Sequence, residues 1–378
     1  MKVLFVTGSL VHGGAERHTI TLMNRLAERG HDCHAVYVKN DPSQLDRIQL
    51  QGDGSVHCLH AARYFDLRAL RELAGHLKRL NPSVVVAVNS YALMYSTLAL
   101  WGSGLKKTQH VVTYHTTRLF SAKEFLQSLL YRIFFWSADC TVFVCNNQKQ
   151  YWRKRILGSR RNEVIYNGVD TNHFSNRLDQ TEMSCLRREL DLATDDFVIG
   201  ISAVLRPEKN HVQLVDAVAQ LRTMGIAAKA LMIGDGATRE AVEARARELD
   251  IVGAITITGF QQEVRPFIAA CDVLVLCSLS ETFSLAALEA MALAKPMVHA
   301  EIGGAAEMIF PGVNGYLFRA GDTAELVTRL LLLAERTTAA RMGAVARAVV
   351  ETMFSEQRMI DHYESLLLDV CQTQFTAR

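Results

Sequence analysis

The chain has 378 residues, 49% of them hydrophobic and 21% charged, which is the make-up of an ordinary globular protein and excludes an intrinsically disordered one. Its length exceeds one ordinary core and suits two domains, and no run of about 18 uncharged apolar residues is present to span a membrane. The net charge of +2 hides an asymmetry: residues 1–165 hold 22 Lys/Arg and 11 Asp/Glu, giving +11, against −9 for the remainder, so the first half predicts an anionic partner.

The chain opens with a short apolar strand at 2–7, a glycine-bearing loop at 8–14 and a helix over 15–28, followed by a strand at 33–38. The loop is not G-x-G-x-x-G, which disfavours a dinucleotide-binding dehydrogenase. Gly13 and Gly14 let a ligand approach the backbone, and a helix start behind them favours anions. Glu16 also has a plain reading as an acid stabilised by the helix dipole, and His12 lies in the same loop. The N-terminus turns to Gly and His too soon for a signal peptide, so a cytoplasmic protein is expected. The eight cysteines show no C-x-x-C and read as small buried hydrophobes.

Helices near 67–80 and 91–100 alternate with strands at 83–88 and 110–114. His115 follows the last strand, at the carboxyl end where a ligand crevice forms in a parallel sheet; of the other histidines, His18 and His211 among them, none has a comparable placement. In the helix over 119–136, Leu119, Leu126, Leu130 and Ile133 form a stripe sufficient for a core contact. Phe120, Phe125, Phe134, Phe135 and Trp136 fall partly elsewhere. Core packing is the expectation for this helix, with membrane contact the alternative. A basic helix, Lys149 to Arg155, and the pair Arg160-Arg161 follow, and Asn167-Gly168 supplies turn chemistry at an expected hinge over 167–175.

A second alternation starts with the strand at 197–204. Leu205-Arg206-Pro207-Glu208-Lys209-Asn210 then opens a helix, and two cations at a helix start oppose its dipole, so they suit a diphosphate better than the fold. The apolar run 273–277 predicts a buried parallel strand, and Ser278 to Pro296 a capped helix behind it, with Thr282 or Ser284 as the cap. Glu281 and Glu289 bracket the helix start. In helical geometry they stand about 12 Å apart, too far for an acid/base pair. They either hold different parts of one ligand or are one loop acid and one core-helix acid.

Residues 280–292, S-E-T-F-S-L-A-A-L-E-A-M-A, resemble the nucleotide-sugar signature of glycosyltransferase family 4, retaining enzymes of the GT-B fold. The resemblance continues in Gly13-Gly14-Ala15-Glu16, Asn167-Gly168-Val169-Asp170, Gly234-Asp235-Gly236, Thr258-Gly259-Phe260, Gly303-Gly304 and Asn314-Gly315. It implies two Rossmann-like α/β domains facing a central cleft: an acceptor-side domain at 1–166 joined by a crossover helix at about 357–378, and a donor-binding domain at 167–356. It further implies that Glu289 holds the ribose hydroxyls, Glu281 and His115 the donor sugar, the 283–285 backbone (Phe283, Ser284, Leu285) with Lys209 and Arg206 the diphosphate, and Gly259-Phe260 the region of the base, with Gly13, Gly14 and Gly234 as donor-side turns. The family pattern R-x4-K puts Val204 where Arg is usual, so Arg206 substitutes from a shifted position or one contact is missing. The implied activity is transfer of a hexose from a nucleoside diphosphate sugar, a UDP-sugar by family frequency, to a glycan or lipid-linked glycan in cell-surface polysaccharide or glycolipid synthesis. A metal cofactor and nucleic acid are not expected, whereas contact with the anionic inner face of a membrane is. An epimerase of similar fold and a non-catalytic donor-binding subunit are the rivals.

Overall fold

A computed structural model describes residues 1–11, 13–116, 122–175 and 179–376. The chain divides into two compact units, Met1–Asn167 with Gln357–Arg378, and Gly168–Glu356. His12, Thr117, Leu119 and Phe120 lie outside the described residues.

The first unit is built on seven parallel strands: β1 (Lys2–Thr7), β2 (Asp32–Tyr37), β3 (Val56–Cys58), β4 (Val84–Val88), β5 (Gln109–Tyr114), β6 (Cys140–Phe143) and β7 (Arg161–Val164), in the order β3-β2-β1-β4-β5-β6-β7. The connecting helices are α1 (Gly14–Glu28), α2 (Leu67–Leu80), α3 (Asn89–Ser103), α4 (Ala122–Ser137) and α5 (Asn146–Arg153). Side chains alternate across the sheet with period two. Leu4, Val6, Val36 and Val85 therefore face one apolar layer, which holds Leu73, Leu77, Tyr95, Phe135 and Trp152 of α2 to α5. Val3, Phe5, Val84 and Val86 face the other, built from α1 and a C-terminal helix. A sheet covered on both faces explains strands as uniformly apolar as Val84–Val88.

The second unit carries β8 (Phe197–Ser202), β9 (Ala228–Ile233), β10 (Ile255–Ile257), β11 (Val273–Leu276), β12 (Met297–Ala300) and β13 (Gly315–Phe318), in the order β10-β9-β8-β11-β12-β13, all parallel. Its helices are α6 (Gln180–Glu189), α7 (His211–Thr223), α8 (Arg239–Glu248), α9 (Arg265–Ala269), α10 (Leu285–Ala292), α11 (Ala305–Met308), α12 (Thr323–Leu331) and α13 (Arg336–Met353). The last helix, α14 (Glu356–Thr376), sets Met359, Tyr363, Leu366, Leu367 and Val370 into the core of the first unit. Its rim pairs, such as Arg29–Asp361 at 2.6 Å and Arg161–Asp369 at 2.5 Å, are part-exposed and contribute at most about 1 kcal/mol each, so the apolar stripe holds the helix.

Helix α4 corrects the core expectation. Leu126, Leu130 and Ile133 are 63%, 67% and 58% exposed, while Tyr131, Phe135 and Ala138 are buried. Phe135 packs edge-on against Tyr114 with ring centroids 5.0 Å apart. A helix apolar on both faces has two stripes of helical period, and periodicity cannot choose the one that meets the sheet. Of the cysteines, Cys185 is exposed and Cys371 half-buried; the other six are buried.

Candidate functional site

In the second unit β8 pairs with both β9 and β11, and the chain runs outward from it in opposite directions. Loops leaving the carboxyl ends of two such strands diverge and open a crevice. Strand β8 stops at Ser202, two residues earlier than the sequence suggests, and a 3-10 turn at Pro207–Lys209 precedes α7. Lys209 is therefore held in the loop rather than on the helix. Asn210 follows at φ 52°, a left-handed residue that separates the turn from the helix.

That loop and the one after β11 are tied together. Leu279 N donates to Glu208 O at 2.8 Å, and Lys209 Nζ donates to Glu281 Oε2, with the two side chains only 24% and 17% exposed. The Glu281 segment rests on Gly303, at φ 55°, where a Cβ would stand 2.2 Å from Glu281 O and 2.6 Å from Thr282 O. Only glycine fits that approach. Gly304 N donates to Thr282 O at 2.7 Å. On the other flank Gly234, at φ 145°, would place a Cβ 2.2 Å from Ala203 O. Leu205 N donates to Asp235 O at 2.9 Å, and Gly234 is bridged to Gly259. The loops after β8, β9, β10, β11 and β12 thus form one hydrogen-bonded rim. Phe260 stands 67% exposed on it, and Arg206, at the start of the 3-10 turn, is exposed as is Val204.

Helix α10 begins beneath this rim. Ser284, not Thr282, is its cap, accepting from Ala287 N at 3.3 Å. Leu285 and Ala286 then lie in the first turn, where N–H groups lack acceptors within the helix. Glu289 is one turn further on and 3% exposed. Phe283 is buried edge-on against Phe354, centroids 5.3 Å apart. Two histidines that the sequence did not single out are here. Burial holds His299 below its ordinary pKa, and Glu281 and Lys209 act on it with opposite sign. Burial, then Lys209, brings His211 down to about 4. His299 follows the strand-end logic that singled out His115; His211 had no signal in the sequence.

In the first unit the reversal lies between β1 and β4. His115 follows β5, and its N–H donates to Asn89 Oδ1 at 2.8 Å. Its ring meets His18 edge-on at 4.9 Å, and His18 Nε2 lies 3.2 Å from Tyr363 Oη. Desolvation drives the His115 pKa to about 4 and, with a smaller effect of His115, holds His18 well below its usual value. Both rings are neutral at pH 7. This corrects the reading of His18 as unremarkably placed: α1 and α14 bring it to His115, and no local spacing reveals that. Gly13 caps α1 in an extended conformation and Gly14 begins it. The Glu16 carboxylate folds back over that start, since a Cβ on Gly13 would stand 2.3 Å from its Oε2, and burial raises its pKa.

Two parallel Rossmann-like sheets in one chain, with a glycine-cradled anion-type rim at a strand-order reversal, define the GT-B fold class. Residues 12–173 match the model of Glycosyltransferase Family 4, and residues 184–349 that of Glycosyl transferases group 1. The chain is 25% identical over 368 residues to the N-acetyl-alpha-D-glucosaminyl L-malate synthase of Bacillus anthracis, covering 95% of this chain and 94% of that protein. It is 28% identical to the lipopolysaccharide core biosynthesis glycosyltransferase LpsE of Rhizobium meliloti, over 94% and 96% of the two chains. The crystal structure of Anabaena HepE in complex with UDP-glucose superposes with a TM-score of 0.82 at 21% identity, covering 98% of this chain and 100% of that one. The chain thus has the GT-B fold and is related to the glycosyltransferases of family 4 and group 1.

Proposed function

We propose that the protein is a retaining hexosyltransferase of family 4 that takes a UDP-sugar as donor and a glycan or lipid-linked glycan as acceptor. The observation that carries this reading is the Lys209–Glu281 pair held on the glycine-cradled rim above the start of α10. In the apo rim each group neutralises the other. A diphosphate arriving at the α10 N-terminus draws Lys209 away and frees Glu281 for the donor sugar. Lys209, Arg206 and the amides at 283–285 stabilise charge developing on the leaving diphosphate, each charge-assisted contact being worth about 1.5–3 kcal/mol. Glu289 accepts from the ribose hydroxyls, and Phe260 with Gly259 and Gly234 flanks the base. His115 serves the sugar as a neutral imidazole, with Gly13 and Gly14 admitting the donor to the backbone. HepE was crystallised with UDP-glucose, which supports the uridine choice.

A panel of UDP- and GDP-sugars scored by thermal shift, followed by product analysis with the best donor, tests the reading. A shift with a UDP-sugar and an α-linked product from an α-linked donor are expected. Absence of any nucleotide-dependent shift, or an isomerised donor without acceptor, overturns it.

A membrane-presented acceptor is supported by the surface of the first unit. No described helix is long and apolar enough to cross a membrane, yet α4 exposes Leu126, Leu130, Ile133 and Trp136. Trp136 borders a groove of about 550 Å³ shared with Ile156, Leu157, Lys149, Arg153 and Arg160. Ile156 occupies the left-handed position, φ 55°, of a Schellman turn in which its N–H donates to Arg153 O at 3.1 Å and that of Leu157 to Trp152 O at 3.1 Å. Glycine is the usual residue there and a β-branched one is strained. Its side chain is nonetheless 63% exposed beside the basic groups. An apolar tip ringed by cations suits an anionic lipid surface. LpsE is named for lipopolysaccharide core biosynthesis, which supports that choice. Sedimentation with vesicles should require anionic lipid, weaken with salt, and drop in Arg153→Ser/Lys154→Ser/Arg160→Ser and in Ile156→Gly. Protein that stays in the supernatant at low salt points to a soluble acceptor.

A further inference from the structure

A second group of ligand-type side chains lies in the first unit, away from the carboxyl ends of its strands. His57 is the middle residue of the three-residue edge strand β3, paired in register with Val36. With period two it therefore points to the face packed by α2, as Val36 and Leu59 do. On α2, Glu72 and His76 are four residues apart, hence neighbours on one side of the helix, flanking the buried Leu73 and Leu77. Strand and helix bring the three together. Glu72 Oε1 is 2.6 Å from His57 Nε2, the imidazoles of His57 and His76 lie 4.1 Å apart, and one ligand atom from each residue falls within 4.8 Å of the other two. His57 and His76 border a pocket of about 200 Å³ that also takes in His34, Ser55 and Arg79.

A fold-stabilising role accounts for His57 and Glu72 as a hydrogen-bonded pair. It leaves His76 unexplained, a second imidazole tilted 44° against the first and bordering the same pocket as Arg79. Two imidazoles and a carboxylate are the donor set of a borderline cation, whereas magnesium and calcium require oxygen. Around a tetrahedral ion at about 2.0–2.1 Å the donors stand roughly 3.3 Å apart, so side-chain rotation has to close the widest separation by up to about 1.5 Å and open the His57–Glu72 contact from 2.6 Å.

We propose that His57, Glu72 and His76 form a binding site for a divalent ion of the zinc class, with its fourth position open to water, which fastens the edge strand β3 to α2. A three-residue edge strand has little pairing of its own, so the consequence is stability of this corner of the sheet rather than catalysis.

Full-length protein, stripped with chelator and dialysed, is titrated with zinc by calorimetry and with cobalt by visible ligand-field absorption, and its thermal unfolding is followed with and without zinc. Saturable binding near one ion per chain, a tetrahedral cobalt spectrum and a higher unfolding temperature with zinc are expected, with no response to magnesium. His57→Asn, His76→Asn and the shape-preserving Glu72→Gln should each weaken zinc by at least about tenfold; His60→Asn, on an exposed residue outside the group, should leave it unchanged. Absence of saturable zinc binding to the stripped protein overturns the proposal. So does binding that survives in all three variants, or binding that shifts with none of them but with His60→Asn.

Discussion

Both sheets contain a reversal of strand order, but they line their carboxyl edges with different chemistry. The second unit lines its edge with charge and backbone: Lys209 on Glu281, glycines at Gly234 and Gly303 where no side chain fits, and the capped start of α10. The first lines its edge with neutral rings, His115 against His18 against Tyr363, and turns an apolar helix face outward. The same topology thus supports one edge lined by charge and backbone and another lined by neutral rings. Interactions at the first kind are electrostatic and gain from low dielectric. Those at the second depend on burial and shape.

The largest test of that contrast is within α4. Phe135→Ala should destabilise the protein by about 3–5 kcal/mol, because a fully buried ring leaves a cavity. Leu130→Ala on the opposite face should change stability by no more than about 0.5 kcal/mol. Denaturant unfolding of the two variants decides it, and equal losses would mean that both faces are core.

Acid sharpens the comparison next. His110 and His115 have folded pKa values near 4 in the first unit, and His211 near 4 in the second, all lowered by burial. A histidine so lowered binds fewer protons folded than unfolded. Its contribution is fully present above about pH 6.5 and is lost as pH falls toward 4, on the order of 3 kcal/mol for a fully buried ring. Urea midpoints at pH 7, 5.5 and 4.5 should fall in that order, and His110→Gln should flatten the trend. A pH-independent midpoint would sink it.

The smaller effect falls on the second unit alone. Glu289→Gln keeps the shape of a side chain that is 3% exposed but removes its charge. UDP affinity should then fall by about 1.5–3 kcal/mol, roughly tenfold to a hundredfold, with vesicle binding unchanged. Calorimetry showing unaltered UDP affinity in a folded variant would remove the ribose assignment.

Much of this arrangement was legible from local pattern. Uniformly apolar runs such as Val84–Val88 and Val273–Leu276 announce parallel strands because both faces of such a sheet are covered. Gly234, Gly303 and Ser284 stand where a close approach or a cap requires those residue types. The motif residues therefore carried the fold class and the placement of Glu281 and Glu289 around the start of α10. The 3-10 turn that takes Lys209 off the helix was not legible, since Pro207 fits the first turn of either helix type.

What the sequence determined by itself is whatever depends on near neighbours in the chain: period, caps, turns, the charge of each half. Only the tertiary structure decided which of two apolar stripes on α4 faces the sheet, that His18 and Tyr363, 345 residues apart, meet beside His115, and that His57 stands over Glu72 and His76. Each of these is settled by which surfaces pack together, and packing joins residues whose separation along the chain carries no signal.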